Sequence, residues 1–341
     1  MIARMSDLRH HGDVDAAPGL QDFAVNVRGS APPTWLRERL AEALGRLGTY
    51  PSALDDSRAR EAVAARHGRD PDDVLVLNGA AEGFALLPAL APRLAAVLHP
   101  SFTEPEVALR TAGVPVHRVM HRDPVPDDAD LVVLGNPTNP TSELHPAATI
   151  SALARPGRVL VVDEAFMDAV PGERESLAGA DLPGLLVLRS LTKTWALPGL
   201  RAGYALGAPD LLRRLATHRP HWPVGTLVLE AVTACAEPHA VEEAAAAARE
   251  LEDHRAWLAK QLGDLPGVHV HEPAAAPFLL IEVPNGEHVR LALRQRGIAV
   301  RRGDTFPGLS TDHLRVAVRE PARCADLLAA LAELTTEVRT P

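Results

Sequence analysis

The sequence predicts an α/β protein with a mainly parallel, seven-stranded, doubly wound sheet and a smaller α+β unit after it. Short runs of β-branched residues and leucine recur through the first two-thirds of the chain. Most are continuous rather than alternating, as in strands covered on both faces. Helix-length segments separate them, which implies crossover connections and a parallel sheet. The 341 residues suffice for one large domain and a smaller one.

Residues 1–30 hold Pro18, Gly19 and Gly29 and read as an extended arm before a helix at 35–47. Strands are expected at 74–77, 95–98, 114–116, 131–134, 159–162, 185–188 and 201–206. Helices at 81–90, 104–112 and 146–153 fall between them. A long helical stretch, roughly 227–262, follows, and its interior, 241–251, has strong helix formers without Gly or Pro. The last unit combines strands at 278–283, 298–301 and 314–318 with helices at 287–296 and 321–334. The expected division is an arm (1–30), a large domain (31–222), and a linker helix with a small domain (223–341).

A net charge of −9 and a pI near 5.9 argue against a nucleic-acid or anionic-membrane partner. Two cysteines, Cys235 and Cys324, make no disulfide framework. Beyond the His10-His11 pair, the histidines show no metal-ligand spacing with acidic partners, so no metal is expected. No apolar run approaches the ~20 residues of a membrane span, and residues 1–15 lack the apolar core of a signal peptide. A cytoplasmic protein is expected.

Only two lysines stand against thirty-three arginines. A coding bias toward arginine cannot replace lysine where chemistry needs a primary amine. Lys260 sits in a helical pattern that can carry any solvated charge, whereas Lys193 directly follows the buried strand at 185–188. There desolvation can make an amine nucleophilic. Other polar residues collect at the carboxyl ends of the expected strands, where ligands bind in such sheets. Asn78-Gly79-Ala80-Ala81 is a small-residue turn opening a helix, suited to a phosphate. Gly135-Asn136-Pro137-Thr138-Asn139-Pro140-Thr141 is a rigid turn with two asparagines. Asp163 ends a strand and needs a partner or a shifted pKa. Arg201 lies eight residues beyond Lys193.

An amine, a carboxylate and a phosphate cup are what pyridoxal phosphate requires. With Ser190-Leu191-Thr192-Lys193, Gly199-Leu200-Arg201-Ala202-Gly203-Tyr204, the asparagine turn and Asp163-Glu164-Ala165, residues 22–318 resemble the fold-type I pyridoxal-phosphate enzymes of the class I/II aminotransferase family. The resemblance implies an aminotransferase-like large domain and a Schiff base on Lys193. It implies that Asp163 meets the pyridine nitrogen, Asn139 the ring hydroxyl and Phe102 the ring face. Ala80, Ala81, Ser190 and Arg201 would hold the phosphate. Tyr50 would reach the phosphate of the neighbouring subunit of a homodimer, and Arg315 would bind a substrate anion. Two departures stand out. Ser142 replaces a glycine, so its backbone need not adopt positive φ, and Phe166 replaces a tyrosine and removes a hydrogen bond to the ring hydroxyl.

Further short motifs resemble the threonine-phosphate decarboxylase branch of cobalamin biosynthesis, with histidinol-phosphate aminotransferases as near relatives. These are His10-His11-Gly12-Asp13, the segment from Asp22 to Asn26, Phe166, Trp222-Pro223-Val224, Phe306-Pro307-Gly308-Leu309 and the segment from Arg315 to Arg319. The expected reaction is therefore a lyase reaction, decarboxylation of threonine phosphate to 1-aminopropan-2-yl phosphate. The alternative is transamination of histidinol phosphate with glutamate or 2-oxoglutarate. His11, Asn26, Arg301 and Arg319 are candidate substrate binders beside Arg315. Arg301 and Arg302 face opposite ways on a strand, which leaves one of them to solvent. A nicotinamide dehydrogenase is disfavoured because no Gly-x-Gly-x-x-Gly follows the early strands.

Overall fold

The computed structural model describes residues 8–120 and 123–337; the first seven residues of the expected arm lie outside them. The strands are β1 (Gln21–Phe23), β2 (Val74–Leu77), β3 (Ala95–His99), β4 (Val116–Met120), β5 (Leu131–Gly135) and β6 (Val159–Asp163). They continue with β7 (Leu185–Ser190), β8 (Gly203–Gly207), β9 (His269–Val270), β10 (Phe278–Glu282), β11 (Ile298–Arg302) and β12 (His313–Ala317). Seven form one sheet in the order β2-β8-β7-β6-β5-β3-β4. The pairs from β4 through β3, β5 and β6 to β7 are parallel, and β8 runs antiparallel to both its neighbours. The mainly parallel seven-stranded sheet expected from the sequence is borne out.

The continuous apolar runs have a direct cause. Alternate residues of a strand point to opposite faces, and here each face meets its own core. Val132, Leu134, Leu160, Val162 and Val187 belong to one buried cluster. Leu131, Val133, Val161, Leu186 and Leu188 belong to the other. The chain leaves β3 toward one edge and β5 toward the other, so a crevice opens where the strand order reverses.

Three local differences from the sequence reading have physical reasons. The fourth strand starts at Val116 because Pro115 has no N–H to give; its carbonyl accepts from Ala95 N at 2.9 Å instead. The stretch 227–262 is two helices, Thr226–Ala236 and Pro238–Gly263, broken at an extended Glu237 with Pro238 in the first turn. A helix at Ala53–His67 was not anticipated, although its capping box was visible: Ser52 Oγ accepts from Asp55 N, and Asp55 accepts from Ser52 N at 3.0 Å.

The second sheet has the order β1-β11-β12-β10-β9. The arm therefore ends in a strand, with β1 parallel to β11. One face buries Leu279, Ile281, Leu314, Val316 and Val300 against the helices Gly286–Gln295 and Ala325–Glu337 through Val289, Leu293, Leu327 and Leu331. The other face carries Arg301 and Arg315, directly opposite each other across β11 and β12. No helix among the described residues is long and apolar enough to cross a membrane.

Ser142 corrects a further expectation: its φ is +64°, so the residue replacing glycine does take the left-handed conformation. The side chain explains how. Ser142 Oγ accepts from Ala275 N at 3.1 Å and Ala276 N at 2.7 Å, and Ser142 N donates to Thr138 O at 2.7 Å. These bonds offset the ~1–2 kcal/mol cost of αL for an L-residue. Ser142→Ala keeps the strain and strands the buried Ala276 N–H, while Ala275 N keeps its bond to Ser142 O at 2.8 Å, so it should destabilise by about 1–3 kcal/mol. Ser142→Gly relieves the strain and should cost less. Urea titration of the two variants checks the order, and a more stable alanine variant would contradict it.

Candidate active site

The register of the large sheet places its polar strand ends side by side. Gly135 pairs with Asp163 across β5 and β6, Asp163 with Leu188 across β6 and β7, and Ser190 with Gly203 across β7 and β8. A cavity of about 470 Å³ opens there, and it is lined by Lys193, Asp163, Asn139, Ser190, Arg201 and Arg315, among others.

Lys193 lies three residues beyond the end of β7, and its carbonyl accepts from Arg28 N of the arm at 2.9 Å. Burial, and then the charges of Arg315 and Arg201, bring its amine down to about 8 from 10.5. The other lysine, Lys260, pairs with Asp264 on an exposed helix at 3.1 Å. Asp163 faces the opposite problem. Burial pushes its carboxyl up to about 7, eased only by a hydrogen bond from Ala165 N at 3.0 Å, and the charge of Glu164 adds to the rise. Glu164 itself is answered by Arg189 at 3.0 Å, Ser176 Oγ at 2.7 Å and Leu177 N at 2.7 Å. Among the described residues Asp163 has no ion pair, so a donor from a ligand would satisfy it.

Beyond β2 the helix Ala80–Leu86 starts at the cavity, where its first N–H groups have no intrahelical acceptor. Its close approach depends on Gly203. A Cβ there would lie 2.5 Å from Arg189 O and 3.0 Å from Ala80 N. Ser190 Oγ shares a hydrogen bond with Thr192 Oγ1 at 2.9 Å. Arg201 has a φ of +64° and Ala196 one of +50°, so the loop after Lys193 holds two non-glycine residues in the left-handed region. Such strain concentrates at functional sites. Phe102 lines the cavity between His11, at a ring distance of 5.5 Å, and Phe84, at 5.9 Å.

The second sheet supplies the other wall. Arg315 donates to Asn139 Oδ1 at 2.6 Å and to Ala24 O at 2.5 Å. With the Asn26 amide turned so that its oxygen faces the guanidinium, it accepts from Arg315 at 3.0 and 3.3 Å. No carboxylate pairs with Arg315 among the described residues. Burial, then the nearby charge of Arg301, brings its guanidinium down to about 9. Arg301 has its own carboxylate, Asp15, at 3.3 Å. Arg302, on the opposite side of β11, pairs with Asp304. His11 reaches the cavity from the arm, held by Glu104 at 2.6 Å. The arm crosses so closely because residue 12 is glycine: a Cβ would meet Ala24 O at 2.6 Å.

Two expected residues stand elsewhere. Arg319 lies past the end of β12 and spends its guanidinium on arm carbonyls, Val25 O at 2.7 Å and Asp22 O at 3.0 Å. It lines a second cavity of about 300 Å³ rather than the first. Tyr50 is 73 % exposed and stacks on Trp222 at 4.3 Å, away from the cavity of its own chain.

Sequence reasoning missed Phe278, Glu104 and Asp15. Phe278 lies under the Arg315 guanidinium at 5.1 Å and meets the Phe166 ring edge-on at 5.0 Å. Its position on β10, two residues before Leu280, which pairs with Arg315, was the available signal. Glu104 and Asp15 act through partners far away in sequence, and no local spacing announces them.

The residues fit the pyridoxal phosphate group. A depressed amine, a buried carboxylate without an ion pair among the described residues, an asparagine amide and a helix start beside Arg201 share one cavity. Comparison with known proteins agrees on the family. The profile of aminotransferase class I and II matches residues 22–331. A histidinol-phosphate aminotransferase of Mycobacterium tuberculosis is 55 % identical over 332 residues, 95 % of this chain and 90 % of that one. A threonine-phosphate decarboxylase of Salmonella typhimurium is 31 % identical over 94 % of this chain and 92 % of its own length. The structure of a histidinol-phosphate aminotransferase from Clostridium acetobutylicum superposes with a TM-score of 0.83 at 23 % identity, covering 93 % of this chain and 99 % of that one.

These identities overturn the expected branch. Over nearly the same share of the chain the identity is 55 % to the aminotransferase and 31 % to the decarboxylase, and decarboxylation, the lyase class and the cobalamin context fall with the decarboxylase assignment. The motifs behind it span a few residues each and mostly serve the arm, the cofactor cavity and Arg315. Such segments can be shared by enzymes that cleave different bonds at Cα.

Proposed function

This chain belongs to the class I and II aminotransferase family, whose cofactor is pyridoxal 5′-phosphate, and from that premise we propose that it moves the amino group between histidinol phosphate and 2-oxoglutarate. The reading rests on Arg315, a buried guanidinium whose present partners are amide and carbonyl oxygens. A transaminase passes two amino donors through one site. Glutamate carries a carboxylate on Cα, and histidinol phosphate carries a phosphate one methylene further out. A fork-shaped cation suits both anions. Clamping a carboxylate also keeps it from being the group that departs, and leaves the Cα–H bond for cleavage.

Pyridoxal phosphate supplies the electron sink for that cleavage. Lys193 Nζ would take the proton from Cα and pass it to the cofactor carbon across the amino nitrogen. Asp163 accepts the ring N–H and keeps it protonated. Asn139 Nδ2 donates to the ring hydroxyl while its Oδ1 holds Arg315, so one amide ties cofactor position to substrate position. Ala80 and Ala81 N–H, Ser190 Oγ and Arg201 hold the cofactor phosphate, and Phe102 covers the ring. His11, Asn26 and Arg301 border the space for the substrate phosphate. Tyr50, exposed beside Trp222, serves the partner subunit of a homodimer. The arm (1–30) and C-terminal unit (223–341) wall the site of the large unit (31–222), and the enzyme works in the cytoplasm.

Incubating the holoenzyme with histidinol phosphate and 2-oxoglutarate tests the proposal, with glutamate as the expected product. Arg315→Ala should lower kcat/KM for both amino donors by about 10²–10³-fold, with Arg315→Lys intermediate. Absence of glutamate, with carbon dioxide released from threonine phosphate, would overturn it.

A further inference from the structure

We propose that the outer part of the second sheet binds one zinc-class divalent ion through His271, Glu282 and His313. One ligand atom from each of the three lies within 4.8 Å of the others. Strand register creates the cluster. Glu282 pairs with His313 across β10 and β12, and with His269 across β9 and β10. Directly opposed residues share a sheet face, and His271, two residues past His269, returns to it. The ladder continues there, with His271 N donating to Leu280 O at 2.9 Å. The ring centroids of His271 and His313 are 5.5 Å apart, and those of His269 and His271 are 5.2 Å apart.

The side chains are prepared for a ligand. His271 Nε2 is buried and has no hydrogen-bond partner among the described residues, an arrangement that costs stability unless something binds there. His313 Nδ1 accepts from Ser310 N at 3.1 Å and lies 2.9 Å from Ser310 Oγ, contacts that fix the orientation of the ring. Two imidazoles and one carboxylate, with water completing the set, suit Zn²⁺ far better than Mg²⁺ or Ca²⁺. Glu282 is exposed, so the ion enters from solvent. Once bound it ties β9, only two residues long, to β10 and β12.

The test is calorimetric titration of chelator-treated holoenzyme with ZnCl₂, alongside His271→Ala/His313→Ala and Glu282→Gln. The wild type should bind one zinc per chain and melt roughly 2–4 °C higher with it. The double variant should lose this binding, and Glu282→Gln should weaken it at least about tenfold. Cofactor absorbance and turnover in zinc-free buffer confirm that both variants fold. No stoichiometric binding to wild type, or equal binding to the double variant through His10 or His11, would overturn the proposal.

Discussion

Lys193→Ala is expected to lower kcat by at least about 10⁴-fold, because one side chain supplies both the nucleophilic amine and the mobile proton. The chain offers no substitute. Its only other lysine is held by Asp264 on an exposed helix, and guanidinium cannot take over the role. Lys193→Arg should therefore be nearly as inactive, although it preserves charge and bulk. The cavity adds to the effect by holding the amine near 8, so that it sheds its proton far more readily than an ordinary lysine. Steady-state assays of both variants, repeated with added methylamine, provide the check. A small soluble amine should restore part of the turnover of the alanine variant and none of the arginine variant's. An alanine variant keeping more than about 1 % of kcat would remove Lys193 from the chemistry.

Asp163→Asn should lower turnover and stabilise the coenzyme-free protein. The carboxyl sits near 7 in the folded chain against 3.8 ordinarily, so the folded state binds its proton more tightly than the unfolded state does. That contribution is complete below pH 4 and is lost as pH rises through 7. By pH 8 the ionised, unpartnered carboxylate has cost up to about 4 kcal/mol. Asparagine has no charge to bury, so the stability of the coenzyme-free variant should stay level across this window and exceed the wild type at pH 8. With cofactor bound, the ring N–H answers the carboxylate and the wild type recovers. Asparagine cannot hold that proton electrostatically, and kcat should fall about 10²–10³-fold. Thermal melts from pH 4 to 8, with and without cofactor, measure the crossover. A coenzyme-free Asp163→Asn protein less stable than wild type at pH 8 would refute the argument.

Much of the large sheet was legible because double-sided burial writes itself into sequence as uninterrupted apolar runs. Elements whose stability comes from elsewhere were not. β1, of three residues, exists only through β11 far along the chain, and β9, of two residues, is too short to write an apolar run. The helix break at Glu237 has a local mark in Pro238, but a proline in a helical pattern can start a new helix or merely kink the old one. Ser142 shows the same limit, since its positive φ is maintained by N–H groups of Ala275 and Ala276, more than 130 positions away.

The sequence alone determined the sheet, the cofactor class and the identity of the reacting amine. Each rests on local pattern: an apolar period, a residue type at a strand end, a lysine that arginine cannot replace. The tertiary structure decided which charges stay unanswered. Glu164 and Arg301 find oppositely charged partners, whereas among the described residues Asp163 and Arg315 do not. It also placed two histidines and a glutamate on one sheet face, where spacing along the chain had suggested no metal. Both outcomes depend on distances between strands, which register and packing set and chain order does not.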